Sequence, residues 1–177
     1  MNRMKSAVKM LAGFVALGAV LFSVGCSSVY VPKESEFATD QIPQYIVGSQ
    51  VEFKNGQTSK ENVLFATNMG HEFYADLHEW TNKAIAIADR ELTKRGSKMA
   101  EKPGHVLTLS VTSVQVTSGG WGFRGKVTLD AATGNGITKS FQGEAPGANL
   151  HNVASGALSS TVTKMLSDPE IVKYLSQ

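Results

Sequence analysis

The spacing of apolar and polar residues changes period several times along this chain, and each change marks an element. Residues 10–24 are an uncharged, mostly apolar run. Residues 27–48 keep no period and contain Pro32, Pro43 and the polar stretch Lys33-Glu34-Ser35-Glu36, which reads as a tether. Gln50-Val51-Glu52-Phe53 alternates, Asn55-Gly56 follows as a turn signal, and Val63-Leu64-Phe65-Ala66 is a second short apolar run. Together they predict a hairpin. Over residues 69–95 the period lengthens: Phe73, Leu77, Trp80, Ala84, Ile87 and Ala88 recur at three and four, and Ile85 and Leu92 widen the stripe. Glu72, Asp76, Glu79, Lys83, Asp89, Arg90 and Lys94 fall on the other side. This predicts one long amphipathic helix. Lys94-Arg95-Gly96 ends it, with cations at the negative end of the helix dipole and a glycine free to take a left-handed cap.

Period two then returns. Residues 105–116 place Leu107, Leu109 and Val111 in one phase and Val114 and Val116 in the other, a slip that predicts a β-bulge near Thr112-Ser113. After Ser118-Gly119-Gly120, the residues Trp121, Phe123, Val127 and Leu129 alternate with Arg124, Lys126, Thr128 and Asp130. Asn135-Gly136 predicts a second hairpin, with Ile137 and Phe141 of the returning strand inward. Residues 143–147 read as a connector. Asn149 can cap a helix over 150–167, in which Gly156 and Ala157 are small enough for close approach to a sheet. Asp168-Pro169-Glu170 starts one more helix: aspartate as N-cap, proline at the first position, an acid in the first turn.

The predicted fold class is α+β: an antiparallel sheet of three to five strands, with a long amphipathic helix and a C-terminal helix pair packed on one face. The domain boundaries follow. Residues 1–25 form a leader, 26–48 a modified cysteine and flexible tether of about 25 Å root-mean-square reach, and 49–177 one domain.

Charge sharpens the reading of the leader. Arg3, Lys5 and Lys9 precede the apolar run, which is short of the ~20 residues a bilayer-crossing helix needs, and Ser23-Val24-Gly25-Cys26 follows it. Basic head, apolar middle and small residues before a cut are the layout of a secretory signal peptide. Without these three cations the chain carries 14 basic against 15 acidic residues. That balance argues against nucleic acid as a partner and gives no polybasic support for anionic lipid. Cys26 is the only cysteine, so the domain has no internal disulfide and must be stable through its core.

A lone cysteine after glycine at the cleavage point resembles the lipobox of bacterial lipoproteins, with Ser23 where leucine is usual. The resemblance implies lipidation of Cys26 and a membrane partner reached through its acyl chains. Ser27 and Ser28 follow, where relatives kept at the inner membrane often carry aspartate. By that resemblance the chain is expected at the outer membrane, lipid-anchored and facing the periplasm.

Candidate chemistry is sparse. His71 and His78, two turns apart on the predicted helix, stand about 10 Å apart along its axis, too far to share an ion. Neither a metal nor any other cofactor is expected, and His71 and His78 read as solvated surface residues. No G-x-S-x-G elbow is present, and the glycine sets at 119–122 and 134–136 precede no helix that could hold a phosphate. The stretch to watch is Trp121-Gly122-Phe123-Arg124, a candidate interaction patch, set against the ordinary alternative that both rings face the core.

The run Leu92-Thr93-Lys94-Arg95-Gly96, the strand over 106–116 and the ending Val162-Thr163-Lys164-Met165-Leu166-Ser167-Asp168-Pro169-Glu170-Ile171 resemble small YajG-type outer-membrane lipoproteins, as a pattern over residues 73–177. The resemblance implies an envelope lipoprotein facing the periplasm. Two functions follow as expectations. The first is a non-enzymatic interaction or scaffolding module that offers a sheet face or edge to an envelope protein. The second is an accessory subunit handling a lipid or glycolipid for a transport machine, which would need an apolar cleft.

Overall fold

The computed structural model describes residues 26–33, 41–97 and 104–177. The leader expected over 1–25 and the middle of the expected tether lie outside them. Over these residues the chain is α+β, with two mixed sheets and three helices. Strands β1 (Ser27–Val29), β4 (His71–Asp76) and β3 (Asn62–Asn68) form a three-stranded sheet in that order. Strands β2 (Val51–Asn55), β5 (His105–Gly119), β6 (Gly122–Thr133) and β7 (Thr138–Gly147) form a four-stranded one. The helices are α1 (Leu77–Lys94), α2 (Leu150–Leu166) and α3 (Pro169–Leu175).

The antiparallel sheet expected from the sequence is realised only in its meander. β5, β6 and β7 pair antiparallel, and the register slips between Val111 and Ser113 where the apolar phase changes. β2 instead runs parallel to β5, with Val51 opposite His105 and Asn55 opposite Leu109, and β1 runs parallel to β4. The hairpin expected over residues 50–66 therefore does not form. Gly56 N–H donates to the Leu109 carbonyl at 2.7 Å, and the Asn55 amide to the carbonyl of His78 at 3.1 Å, so the chain crosses toward α1 rather than reversing. β3 pairs with β4 through the turn Met69-Gly70.

The long helix begins later than its apolar stripe suggested. Residues 71–76 are strand, with Ala75 buried and Phe73 packed against the core at period two. The Asp76 carboxylate accepts the N–H groups of His78 (2.9 Å) and Glu79 (3.1 Å), so helix starts only after it. The end is as expected. Gly96 sits at φ +94°, its N–H reaches the Thr93 carbonyl and the Ser97 N–H that of Leu92, the paired bonds of a Schellman motif.

Leu107, Leu109, Val111, Val127 and Leu129 share one face of the larger sheet, and α1 and α2 lie on it. The Thr81 hydroxyl of α1 accepts the Val111 N–H at 2.9 Å, and the Thr161 hydroxyl of α2 donates to the carbonyls of Val127 and Ala157. Residues 143–147, expected as a connector, continue β7 under α2. The close helix–sheet contact depends on small residues, as the sequence suggested for Gly156. Glycines of the sheet contribute to it as well. A Cβ on Gly143 would strike the Thr161 backbone, and one on Gly125 would come within 2.7 Å of the Val153 carbonyl. Only α3 departs from the face. It closes the sheet's end, where the Tyr174 hydroxyl accepts N–H bonds from Val106 (2.9 Å) and Gly134 (3.2 Å).

The expected tether is structured where it is described. Tyr30 is wedged among aromatic rings, with ring centroids 6.1 Å from Trp80, 6.2 Å from Phe65 and 4.5 Å from His151. Its carbonyl accepts the Trp80 indole N–H at 3.0 Å, and its hydroxyl bonds Ser155 Oγ at 2.8 Å. Further on, Ile42 and Val47 are buried. Absence of periodicity hid a segment that docks through single residues rather than through a face.

Candidate functional site

Cys26 is exposed and immediately precedes β1. Its carbonyl accepts the Glu72 N–H at 3.0 Å, which ties the backbone to the start of β4 and leaves the side chain facing solvent. Seven residues later Lys33 N–H still donates to Ser155 Oγ on α2. Any group attached to Cys26 is thus held close to a rigid domain.

The stretch Trp121-Gly122-Phe123-Arg124 is divided by the pleat and the turn. Gly119 pairs with Gly122, so Gly120-Trp121 is a two-residue loop at the tip of the β5–β6 hairpin. The indole there is 104 % exposed, against the alternative that it faces the core. Phe123 turns inward and packs against the core. Arg124 points to the opposite face, with its guanidinium 3.8 Å from Glu144. Trp121 and Arg124 are exposed and Phe123 is partly buried, and all three border one shallow recess of about 540 Å³ together with Pro146, Gly147 and Ala148.

His71 and His78 do not share a helix. His71 lies on β4, with Nε2 hydrogen-bonded to Ser28 Oγ at 3.0 Å, and His78 in the first turn of α1 donates from Nδ1 to the Gln57 carbonyl at 2.7 Å. Both are half-buried rather than fully solvated. Among the described residues no three His, Cys, Asp or Glu side chains gather as a metal site would require.

Sequence reading passed over Glu91, which is fully buried between Ala88 and Leu92 on the apolar stripe. The signal was there in the cations three and four residues on. Lys94 Nζ donates to its carboxylate at 2.8 Å and Arg95 at 3.0 Å. Burial pushes the Glu91 carboxyl upward, but the hydrogen bonds and charges of Lys94 and Arg95 outweigh it and hold the acid below its ordinary range. These three residues border a recess of about 750 Å³ with Ile42, Gln44, Tyr45 and Ile46.

Beside it, burial pushes the Tyr45 hydroxyl up to about 12, against an opposing pull from the Arg95 charge. The folded state therefore holds this proton more tightly than the unfolded chain. Stability should be unaffected below the ordinary tyrosine value of 10.0 and should fall as pH rises from there toward 12. Denaturant midpoints measured across that window should decline in the native protein and decline less in Tyr45→Phe; parallel declines would refute the assignment.

The chain matches no family model, and no curated protein matches it significantly.

Proposed function

We propose that this chain is a lipid-anchored lipoprotein of the outer membrane that faces the periplasm and acts as a non-enzymatic interaction or scaffolding module. The observation that carries the reading is the position of Cys26. The residue that the lipobox-like sequence marks for acylation is exposed, and it stands at the first residue of the packed domain. Acyl chains there would meet neither the core nor a partner thiol.

The module's working surface is the face of the larger sheet opposite α1 and α2. Ser110, Lys126, Thr128, Asp130, Ser140 and Gln142 lie on it, and no described helix covers it. A flat, mixed polar face suits an envelope protein partner held by hydrogen bonds more than by apolar burial. A lipid-handling subunit would instead call for an apolar cleft, whereas the recess beside Tyr45 is bordered by Glu91, Lys94 and Arg95.

Photocrosslinking in intact envelopes tests this. A crosslinker at Ser140 or Gln142 should give one discrete protein adduct, and a crosslinker at Asp89 on the outer side of α1 should not. Equal or absent adducts from both surfaces would remove the sheet face as the docking site.

A further inference from the structure

Of the exposed large apolar side chains among the described residues (Val29, Val31, Ile46, Val63, Leu64, Met69 and Trp121), two are exposed completely. Met69 is 100 % exposed and Trp121 is 104 % exposed. Each stands on a two-residue hairpin loop, Met69-Gly70 between β3 and β4 and Gly120-Trp121 between β5 and β6. Met69 also adopts φ +49°, followed by Gly70 at +78°. A left-handed first position suits asparagine, aspartate or glycine, which enter it readily and are polar or small. An exposed methionine there is unfavourable both for the backbone and for solvation. Its side chain is what the position offers.

The two tips flank one structural feature, the N-terminus of α2. His151 in its first turn lies 4.5 Å from the Tyr30 ring and 5.7 Å from the Phe73 ring, centroid to centroid, on the side of β1 and β4. Val153 in the same turn covers Gly125 and Gly147 on the side of the Trp121 hairpin. Cys26 belongs to this end as well. β1 runs parallel to β4 with Ser27 opposite Glu72, so Cys26 adjoins the Met69-Gly70 turn.

We propose that the hairpin tips carrying Met69 and Trp121 seat in the headgroup layer of the bilayer to which Cys26 tethers the chain, so that the domain stands on the membrane at this end. The proposal rests on the lipid-anchor reading. A lipid surface fits better than a protein groove. A protein interface centres on a contiguous buried cluster, whereas Met69 and Trp121, the two fully exposed apolar side chains, project from separate loops. A fluid layer accommodates separate projections. An indole with an apolar body and one N–H donor is the side chain enriched at the membrane–water boundary. The charge balance from Cys26 onward, 14 basic against 15 acidic residues, makes the contact independent of anionic lipid. With Tyr30 locked four residues after the anchor point, the domain has little length of arm with which to stand away. The polar sheet face is then presented sideways, clear of the headgroups.

The test uses the full, membrane-extracted chain reconstituted in phosphatidylcholine vesicles whose acyl chains carry bromine. Trp80 is fully buried, so of the two tryptophans only Trp121 is open to aqueous iodide. On vesicles, iodide quenching should drop several-fold relative to detergent-free fragments released by proteolysis at the anchor, and bromine quenching should appear. Trp121→Ser should abolish the bromine effect with an unchanged far-ultraviolet spectrum. A fluorophore on Met69→Cys, the only free thiol once Cys26 is acylated, should be quenched by the same lipids. Retention of the protein through a high-salt wash is scored separately and reports on the anchor alone. Retained protein whose Trp121 stays open to iodide would overturn the docking and leave the anchor standing. Trp121 shielded from iodide without bromine quenching would assign the tip to a protein surface and overturn the proposal equally. Release by salt would overturn both readings.

Discussion

Replacing Cys26 by serine should remove this chain from the outer membrane, leaving either a soluble domain or an uncleaved precursor that keeps its apolar run, and should abolish metabolic lipid labelling. Each acyl chain contributes ~0.8 kcal/mol per buried methylene, and stable anchoring takes only two such signals. Loss of the thiol that carries them therefore changes membrane partitioning by orders of magnitude. No compensating attraction is available, because the charge from Cys26 onward is near balance. The tips at Met69 and Trp121 supply only two side chains and, on the proposal, would orient a domain that the anchor already holds. They would not retain one that it does not hold. The side chain at position 26 is exposed and thiol-to-hydroxyl exchange leaves the Cys26 carbonyl free to accept the Glu72 N–H, so the fold should survive the change. A Cys26→Ser protein that fractionates with the outer membrane as the native chain does would refute the lipoprotein assignment.

What sequence reading resolves and what it misses divide along a physical line. Features set by local chemistry are legible. The phase slip at Thr112-Ser113 becomes a register shift, Asn135-Gly136 a hairpin turn, and Asn149 and Asp168 accept the first N–H groups of α2 and α3. Pairing between distant segments is not legible. β2 and β5 meet in parallel across an intervening β3–β4–α1 unit, and nothing within residues 50–55 encodes a partner fifty residues away. Coincidence misplaces the start of α1. Phe73 and Leu77 fit a helical stripe by spacing, although one is a strand residue and the other the first of the helix.

The candidate site shows the same division. Cys26 can be proposed from sequence alone because the pattern that singles it out is linear. Trp121 is visible as a residue, but its direction depends on the Gly119–Gly122 pairing, which fixes how long the turn is. The exposure of Met69 is hidden altogether, since the helical spacing that follows it runs on from a turn between two strands.

The largest loss of stability should come from Trp80→Ala. The indole is fully buried and sits where three parts of the chain meet: β3 through Phe65 (5.8 Å, centroid to centroid), the segment after β1 through Tyr30, and α1 itself. Truncating a buried tryptophan to alanine costs ~3–5 kcal/mol in lost transfer free energy and cavity. Removing the indole N–H also strips the Tyr30 carbonyl of its 3.0 Å partner. Against a total stability of ~5–15 kcal/mol for a domain, this is a large fraction. Trp80→Phe separates the two contributions. Phenylalanine keeps most of the apolar volume and loses the hydrogen bond, so its cost should be nearer the ~1–3 kcal/mol of an unpaired buried acceptor. Because Tyr30 is fastened through Trp80, both variants should expose residues 27–33 to protease before the rest of the domain, alanine more than phenylalanine. Denaturant unfolding at constant slope and timed proteolysis measure the two effects. If Trp80→Ala lowered stability by no more than Trp80→Phe while residues 27–33 stayed protected, the aromatic cluster would not be what binds the N-terminal strand to the domain.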